Sequence, residues 1–115
     1  MPTDDPEQRF EDMLENVCRI QSYTSGMNQA EFLKDQKTID AVERCLERIA
    51  EAARKLGNKY DNRYPELNLR ELGSFGNVLR HGYDNIQPEL IWGFADTLLT
   101  PIEEMARQEI DNLKA

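Results

Sequence analysis

The sequence predicts an all-α fold, an antiparallel helical bundle of four main helices plus a short one. Apolar residues recur at three- and four-residue spacing along most of the chain, and cap and stop signals fall between these stripes. No stretch combines β-branched alternation with hairpin turns. A length of 115 residues suits a single hydrophobic core, so one domain is expected over residues 1–115.

Phe10, Met13, Leu14, Val17 and Cys18 share one face of a first helix from about Pro6 to about Tyr23. Ser25-Gly26 ends it. Asn28 stands three residues before Glu31, a capping box that opens a short helical segment through Phe32 and Leu33.

The next segment is long and amphipathic. Ile39, Val42, Leu46, Ile49, Ala53 and Leu56 form its stripe, and Gly57-Asn58 supplies a left-handed stop. Its other face alternates Glu43, Arg44, Glu47, Arg48, Glu51, Arg54 and Lys55, the pattern of a solvated surface laced with helical ion pairs. Lys59 to Pro65 reads as a turn-rich connector. Asn68 and Glu71 repeat the cap signal before a fourth stripe of Leu69, Leu72, Phe75 and Leu79. Gly73 and Gly76 interrupt that stripe at about 1 kcal/mol each relative to alanine, which suggests close packing against another backbone or a local break. Pro88 in a first turn starts the last helix. Its stripe of Ile91, Phe94, Ala95, Leu98, Ile102, Met105 and Leu113 should kink or restart at Thr100-Pro101.

The composition, 39% hydrophobic and 31% charged, is that of a globular protein, with no apolar run near the roughly 20 residues needed to span a bilayer. The acidic N-terminus lacks the features of a secretory signal, so a cytoplasmic location is expected. The two cysteines, Cys18 and Cys45, lie within apolar stripes, where buried thiols are the simplest reading. With two cysteines and one histidine there is no metal-ligand spacing, and no cofactor is expected. A net charge of −8 argues against broad attraction to nucleic acid. Contact with RNA therefore needs a local basic patch, or one assembled by dimerisation.

The sole histidine, His81, lies between Arg80 and Gly82-Tyr83 at a helix exit. Imidazole exchanges protons near neutral pH, guanidinium holds phosphate in bidentate fashion, and a phenol can donate a hydrogen bond or accept a transferred group. Such a set suits phosphodiester chemistry. A histidine and an arginine at a helix C-terminus also simply complement its dipole. Asn77, one turn before His81, could support a phosphate oxygen or cap the helix.

The segment Gly73-Ser74-Phe75-Gly76-Asn77-Val78-Leu79-Arg80-His81-Gly82-Tyr83-Asp84-Asn85-Ile86, followed by Pro88-Glu89-Leu90-Ile91-Trp92, resembles the signature stretch of HepT-like proteins of the HEPN class. Thr38 to Ala53 is similar to that family's long helix, and the likeness runs from about Phe10 to about Leu113. The resemblance implies a HEPN-like homodimer acting on RNA as a metal-independent endoribonuclease, with Arg80 and His81 catalytic; Tyr83, and Asn77 by its spacing from His81, would support them. It also implies a toxin–antitoxin system in which a minimal nucleotidyltransferase antitoxin adds adenylate units to Tyr83. The family's usual pattern has an arginine five to seven residues before the histidine, where this chain holds Gly76, Phe75 and Ser74. Arg80 is its substitute. A non-catalytic dimeric subunit, modified by the nucleotidyltransferase, and a dimerising helical scaffold are the alternatives.

Overall fold

A computed structural model of the chain describes residues 2–80 and 86–115, with Arg80 described through its backbone alone. Among the described residues there are seven α-helices, a 3₁₀ turn at Pro65–Leu67 and no strand. The helices are α1 (Pro6–Tyr23), α2 (Gln29–Leu33), α3 (Gln36–Leu56), α4 (Asn58–Arg63), α5 (Leu69–Arg80), α6 (Pro88–Thr97) and α7 (Leu99–Lys114). The all-α expectation holds, with α1, α3, α5 and the α6–α7 pair as the main helices and α2 as a short one.

The helix α3 is central because its apolar arc is wide enough to meet two neighbours. Ile39, Val42, Cys45, Leu46, Ile49, Ala50, Ala52, Ala53 and Leu56 are all buried, and the helix packs on α1 to one side and α5 to the other. α7 covers the far side of α1. The main helices alternate in direction. The Thr3 amide donates to the Lys55 carbonyl at 2.7 Å, which sets the start of α1 beside the end of α3. Gly73 faces Arg54 while Gly76 faces Ala50, so α5 runs back along α3. Gln21 near the end of α1 donates to Glu103 near the start of α7, at 3.3 Å.

Local chemistry fixes the helix ends. Asp5 accepts from the Gln8 amide at 3.1 Å and Asp35 from the Thr38 amide at 3.1 Å. The Asn28–Glu31 capping box is complete, with both reciprocal bonds formed at 2.9 and 3.0 Å. Gly57 ends α3 at a φ of 78°, a region that side chains disfavour. Its ψ of −169° departs from the expected left-handed stop, and Asn58 at once begins another helix.

Four further expectations are corrected. The segment read as a connector from Lys59 to Pro65 is the helix α4 followed by the 3₁₀ turn. Tertiary contacts hold it, because its single apolar anchor, Tyr60, packs edge-on against Phe10 at 5.0 Å. Asn68, expected with Glu71 to cap α5, has φ 49° and ψ 52°; the amide of Arg70 donates instead to Asp61 of α4 at 3.2 Å. Cys18 is exposed whereas Cys45 is buried, since Cys18 lies about 100° around α1 from buried Val17. The restart expected at Thr100-Pro101 falls at Leu98. Pro101 then sits in the first turn of α7, where its missing N–H disrupts nothing.

The buried carboxylate of Glu109 ties α4 to α7. It is 1% exposed and accepts from Arg63 Nη1 at 2.6 Å and from the Tyr64 hydroxyl at 2.5 Å. Removing a partner from a buried charge costs far more than an exposed pair contributes. Burial, then the bond to Glu109, pushes the Tyr64 phenol up from 10 to about 12.

Two outcomes test this packing. A Cβ on Gly76 would lie 2.7 Å from Ala50 Cβ, an atom fixed to the backbone of α3, whereas one on Gly93 meets nothing within 4 Å. Gly76→Ala should therefore lose stability despite its better helix propensity, by about 1–2 kcal/mol, while Gly93→Ala should gain up to about 1 kcal/mol in urea unfolding. Equal stabilisation by both would contradict the close contact. Tyr64 bears on alkaline stability. Between pH 10 and about 12 the unfolded phenol loses its proton while the folded one keeps it, so this contribution is complete below pH 10 and falls as pH rises. The stability advantage of the wild type over Tyr64→Phe should shrink across that window, and an advantage that stays constant would refute the assignment.

Candidate functional site

The face that α5 presents outward is set by the face it buries. Leu69, Leu72 and Leu79 enter the core, and Gly73 and Gly76 lie against α3. Arg70, Ser74 and Asn77 consequently share the exposed side at four- and three-residue spacing. Arg80 is the last residue of α5, three positions after Asn77. His81 and Tyr83 lie outside the described residues.

Both flanks of this segment are anchored. Phe75 of α5 stacks on Phe94 of α6 with centroids 4.5 Å apart and planes inclined by 22°. Ile86 is partly buried against the core. Ile91 is buried, and Trp92 lies against Phe32 at 5.2 Å. Aromatic pairs of this kind contribute about 0.5–1.5 kcal/mol beyond their buried area, so the ends of α5 and α6 are fixed to each other and to the bundle.

Beside Asn77 a cavity of about 220 Å³ opens where the end of α3, α4 and α5 meet. Arg54, Asn58, Asp61, Arg70, Ser74 and Asn77 supply its polar lining. Arg54 is held in a fork by Glu51, with bonds of 2.9 and 2.6 Å, and that carboxylate raises its pKa. The Arg70 guanidinium donates to the neutral Asn58 amide at 3.3 Å and makes no ion pair among the described residues. Its positive charge is thus available to an anion, and the hydroxyl of Ser74 and the amide of Asn77 follow it along the helix. The row leads towards Arg80.

Of the residues singled out in the sequence, Asn77 is placed on this exposed row, and α5 carries Arg80 to its end. Arg70 and Ser74 were missed. Their spacing from Asn77 was a usable signal, but Asn58 and Asp61 come from the segment read as a connector. The two glycines do pack against another backbone, that of α3 in the same chain. Their face is covered by α3, so it is not a surface on which a second copy can dock. Gly76 is one of the three positions, with Phe75 and Ser74, where an arginine was sought in the sequence; with Ala50 Cβ 2.7 Å from an added Cβ, a longer side chain does not fit at Gly76 without displacing α3.

Among the described residues no three His, Cys, Asp or Glu side chains gather as a metal site, and no helix is long and apolar enough to cross a membrane. No solved structure matches the chain. The family model described as "Ribonuclease HepT-like" matches residues 13–109. A protein of Methanocaldococcus jannaschii named "Putative RNase MJ0127" is 39% identical over 92 residues, which cover 80% of this chain and 76% of that protein. One of Thermococcus cleftensis named "Probable ribonuclease HepT" is 33% identical over 83 residues, 72% of this chain and 76% of the other. The match includes α1 from Met13, all of α3 and α5, and the segment joining α5 to α6, which is where the sequence concentrates its reactive groups. The chain belongs to the HepT-like ribonuclease family.

Proposed function

We propose that this protein is the toxin of a toxin–antitoxin pair, a metal-independent endoribonuclease that works as a homodimer and is silenced when a minimal nucleotidyltransferase adds adenylate to Tyr83. The family match across residues 13–109 carries this reading. Further support comes from the polar row of Arg70, Ser74 and Asn77 that ends at Arg80. An acidic chain with one Arg80–His81 pair is a poor phosphodiesterase, while two pairs facing across a two-fold axis concentrate positive charge and proton-transfer groups.

In each composite site of the proposed dimer the ribose 2′-oxygen attacks the adjacent phosphorus as its proton passes to a single His81. The bond from phosphorus to the 5′-oxygen breaks, and that same imidazolium donates the proton to the leaving oxygen. The products are a 2′,3′-cyclic phosphate and a 5′-hydroxyl. Arg80 stabilises the charge that builds on the phosphate oxygens, and Asn77 supports one of them through its amide. The scheme assigns no step to a metal, so chelation should leave the rate unchanged.

Adenylate on Tyr83 would bring a phosphate charge and a bulky base close to His81. Like-charge repulsion and steric exclusion would then oppose substrate binding.

His81→Ala should relieve toxicity on expression and lower RNA cleavage by at least a hundredfold. Tyr83→Phe should keep most of the cleavage yet escape silencing by the nucleotidyltransferase. A folded Tyr83→Phe protein without cleavage would make the phenol catalytic rather than regulatory. Retention of full cleavage by His81→Ala would remove His81 from the catalytic role, whereas a wild-type protein that cleaves no RNA yet is modified on Tyr83 would favour the alternative of a non-catalytic subunit.

A further inference from the structure

Two cavities flank the outward edge of α3. One, of about 610 Å³, lies in the seam with α1, and the other, of about 220 Å³, lies beside α4 and α5. Among the described residues their lining holds seven lysines and arginines against five aspartates and glutamates. This face therefore carries a formal charge of +2 in a chain of −8, and all the other residues together carry −10. A chain this acidic needs a local basic patch to meet RNA, and this face supplies one.

Ion pairing separates the cations that serve the fold from those left for a ligand. Asp12 faces Arg9 at 3.3 Å, Glu15 faces Arg19 at 2.7 Å, Glu47 faces Arg44 at 3.7 Å and Glu51 holds Arg54 at 2.6 Å. The fifth carboxylate, Asp61, accepts from the Arg70 backbone amide at 3.2 Å. Arg48, Lys55 and Arg70 line the cavities with no ion pair among the described residues. Helix register orders these three. Gly76 of α5 faces Ala50 of α3 and Gly73 faces Arg54, so Arg80, one turn beyond Gly76, comes level with Leu46. Arg48 lies about 3 Å along α3 from that level, and Lys55 two turns further, about 10.5 Å. Arg70 comes level with the end of α3, where its guanidinium reaches Asn58 at 3.3 Å. The unpaired cations thus run from the level of the motif to the end of α3, a span that suits successive phosphates of a strand rather than one small anion.

The face also lacks what a protein partner would need. Among the described residues the exposed large apolar side chains are Tyr23, Leu33, Val78, Leu90 and Leu113, and none of them lines either cavity. Protein interfaces bury an apolar centre, whereas interfaces with nucleic acid are polar and positively charged. We propose that this face is a track for the RNA strand, with Arg48, Lys55 and Arg70 each on a phosphate away from the one that is cleaved. The choice of RNA as the polyanion rests on the ribonuclease reading.

Fluorescence anisotropy with a fully 2′-O-methylated RNA dodecamer, whose blocked 2′-oxygens prevent cleavage, tests the track on the full chain. Two triple variants of equal net charge are compared: Arg48→Gln, Lys55→Gln and Arg70→Gln together on the face, and Lys34→Gln, Lys37→Gln and Lys114→Gln together at exposed positions away from it. The face variant should bind at least tenfold more weakly than the wild type, with a log–log salt dependence shallower by about 2. The remote variant should stay within threefold. If the face variant loses helicity, the three single variants decide, each expected to weaken binding at least twofold. Equal weakening by both triple variants, wild-type binding by the face variant, or no binding by the wild type would overturn the proposal. Cleavage is scored separately on a dinucleoside monophosphate, whose only phosphate is the scissile one. A wild type that binds the dodecamer through this face but cleaves nothing would refute the ribonuclease reading and support the track, whereas cleavage by a wild type whose face variant binds normally would do the reverse.

Discussion

The contact that governs this molecule is the approach of α5 to α3 through Gly73 and Gly76. Their missing side chains let one helix sit on the backbone of the other, with Arg54 and Ala50 as the opposing residues. Once that face is committed, the rotation of α5 about its own axis is no longer free. The leucines turn inward, Arg70, Ser74 and Asn77 turn outward, and the helix delivers Arg80 to its end. The Phe75–Phe94 stack then fixes where α6 resumes. Two residues that weaken an isolated helix are thus what gives this one a defined place.

Much of this was legible in the sequence because it is governed by local rules. The stripe of α3, the Asn28–Glu31 box and the ends of α1 depend on spacing and caps, and the structure places them as read. The helix α4 was not legible, since its stability comes from Glu109, some 45 residues away in sequence, and from the Tyr60–Phe10 contact. The candidate site divides in the same way. Asn77 could be picked out by its distance from His81, but the cavity beside it is completed by Asn58 and Asp61, whose positions only tertiary structure sets. Spacing predicted that Gly73 and Gly76 would be crowded without revealing which neighbour crowds them.

Electrostatics reconcile an acidic chain with membership of a ribonuclease family. The excess negative charge is spread over the surface, while arginines are gathered in the two seams that flank α3. Most are held by carboxylates one helical turn away, pairs that individually stabilise the fold little. Their effect is an array in which most of the guanidinium charge is matched locally. Arg70, Arg48 and Lys55, without ion pairs among the described residues, leave that array a residual positive charge.

The same helix contact bears on where an arginine can stand before His81. Of the three upstream positions considered in the sequence, Gly76 has no room for one, because Ala50 Cβ lies 2.7 Å from an added Cβ. In the proposed mechanism the guanidinium comes from Arg80, the residue immediately before His81. The proposal pairs the Arg80 of one protomer with the partner's His81. Mixing Arg80→Ala chains with His81→Ala chains tests this most directly, because neither mutant homodimer retains a complete pair while a mixed dimer keeps one composite site. The account predicts that RNA cleavage, absent from each variant alone, returns on mixing to about half the wild-type rate per mixed dimer. Mixed dimers that form and remain inactive would contradict it.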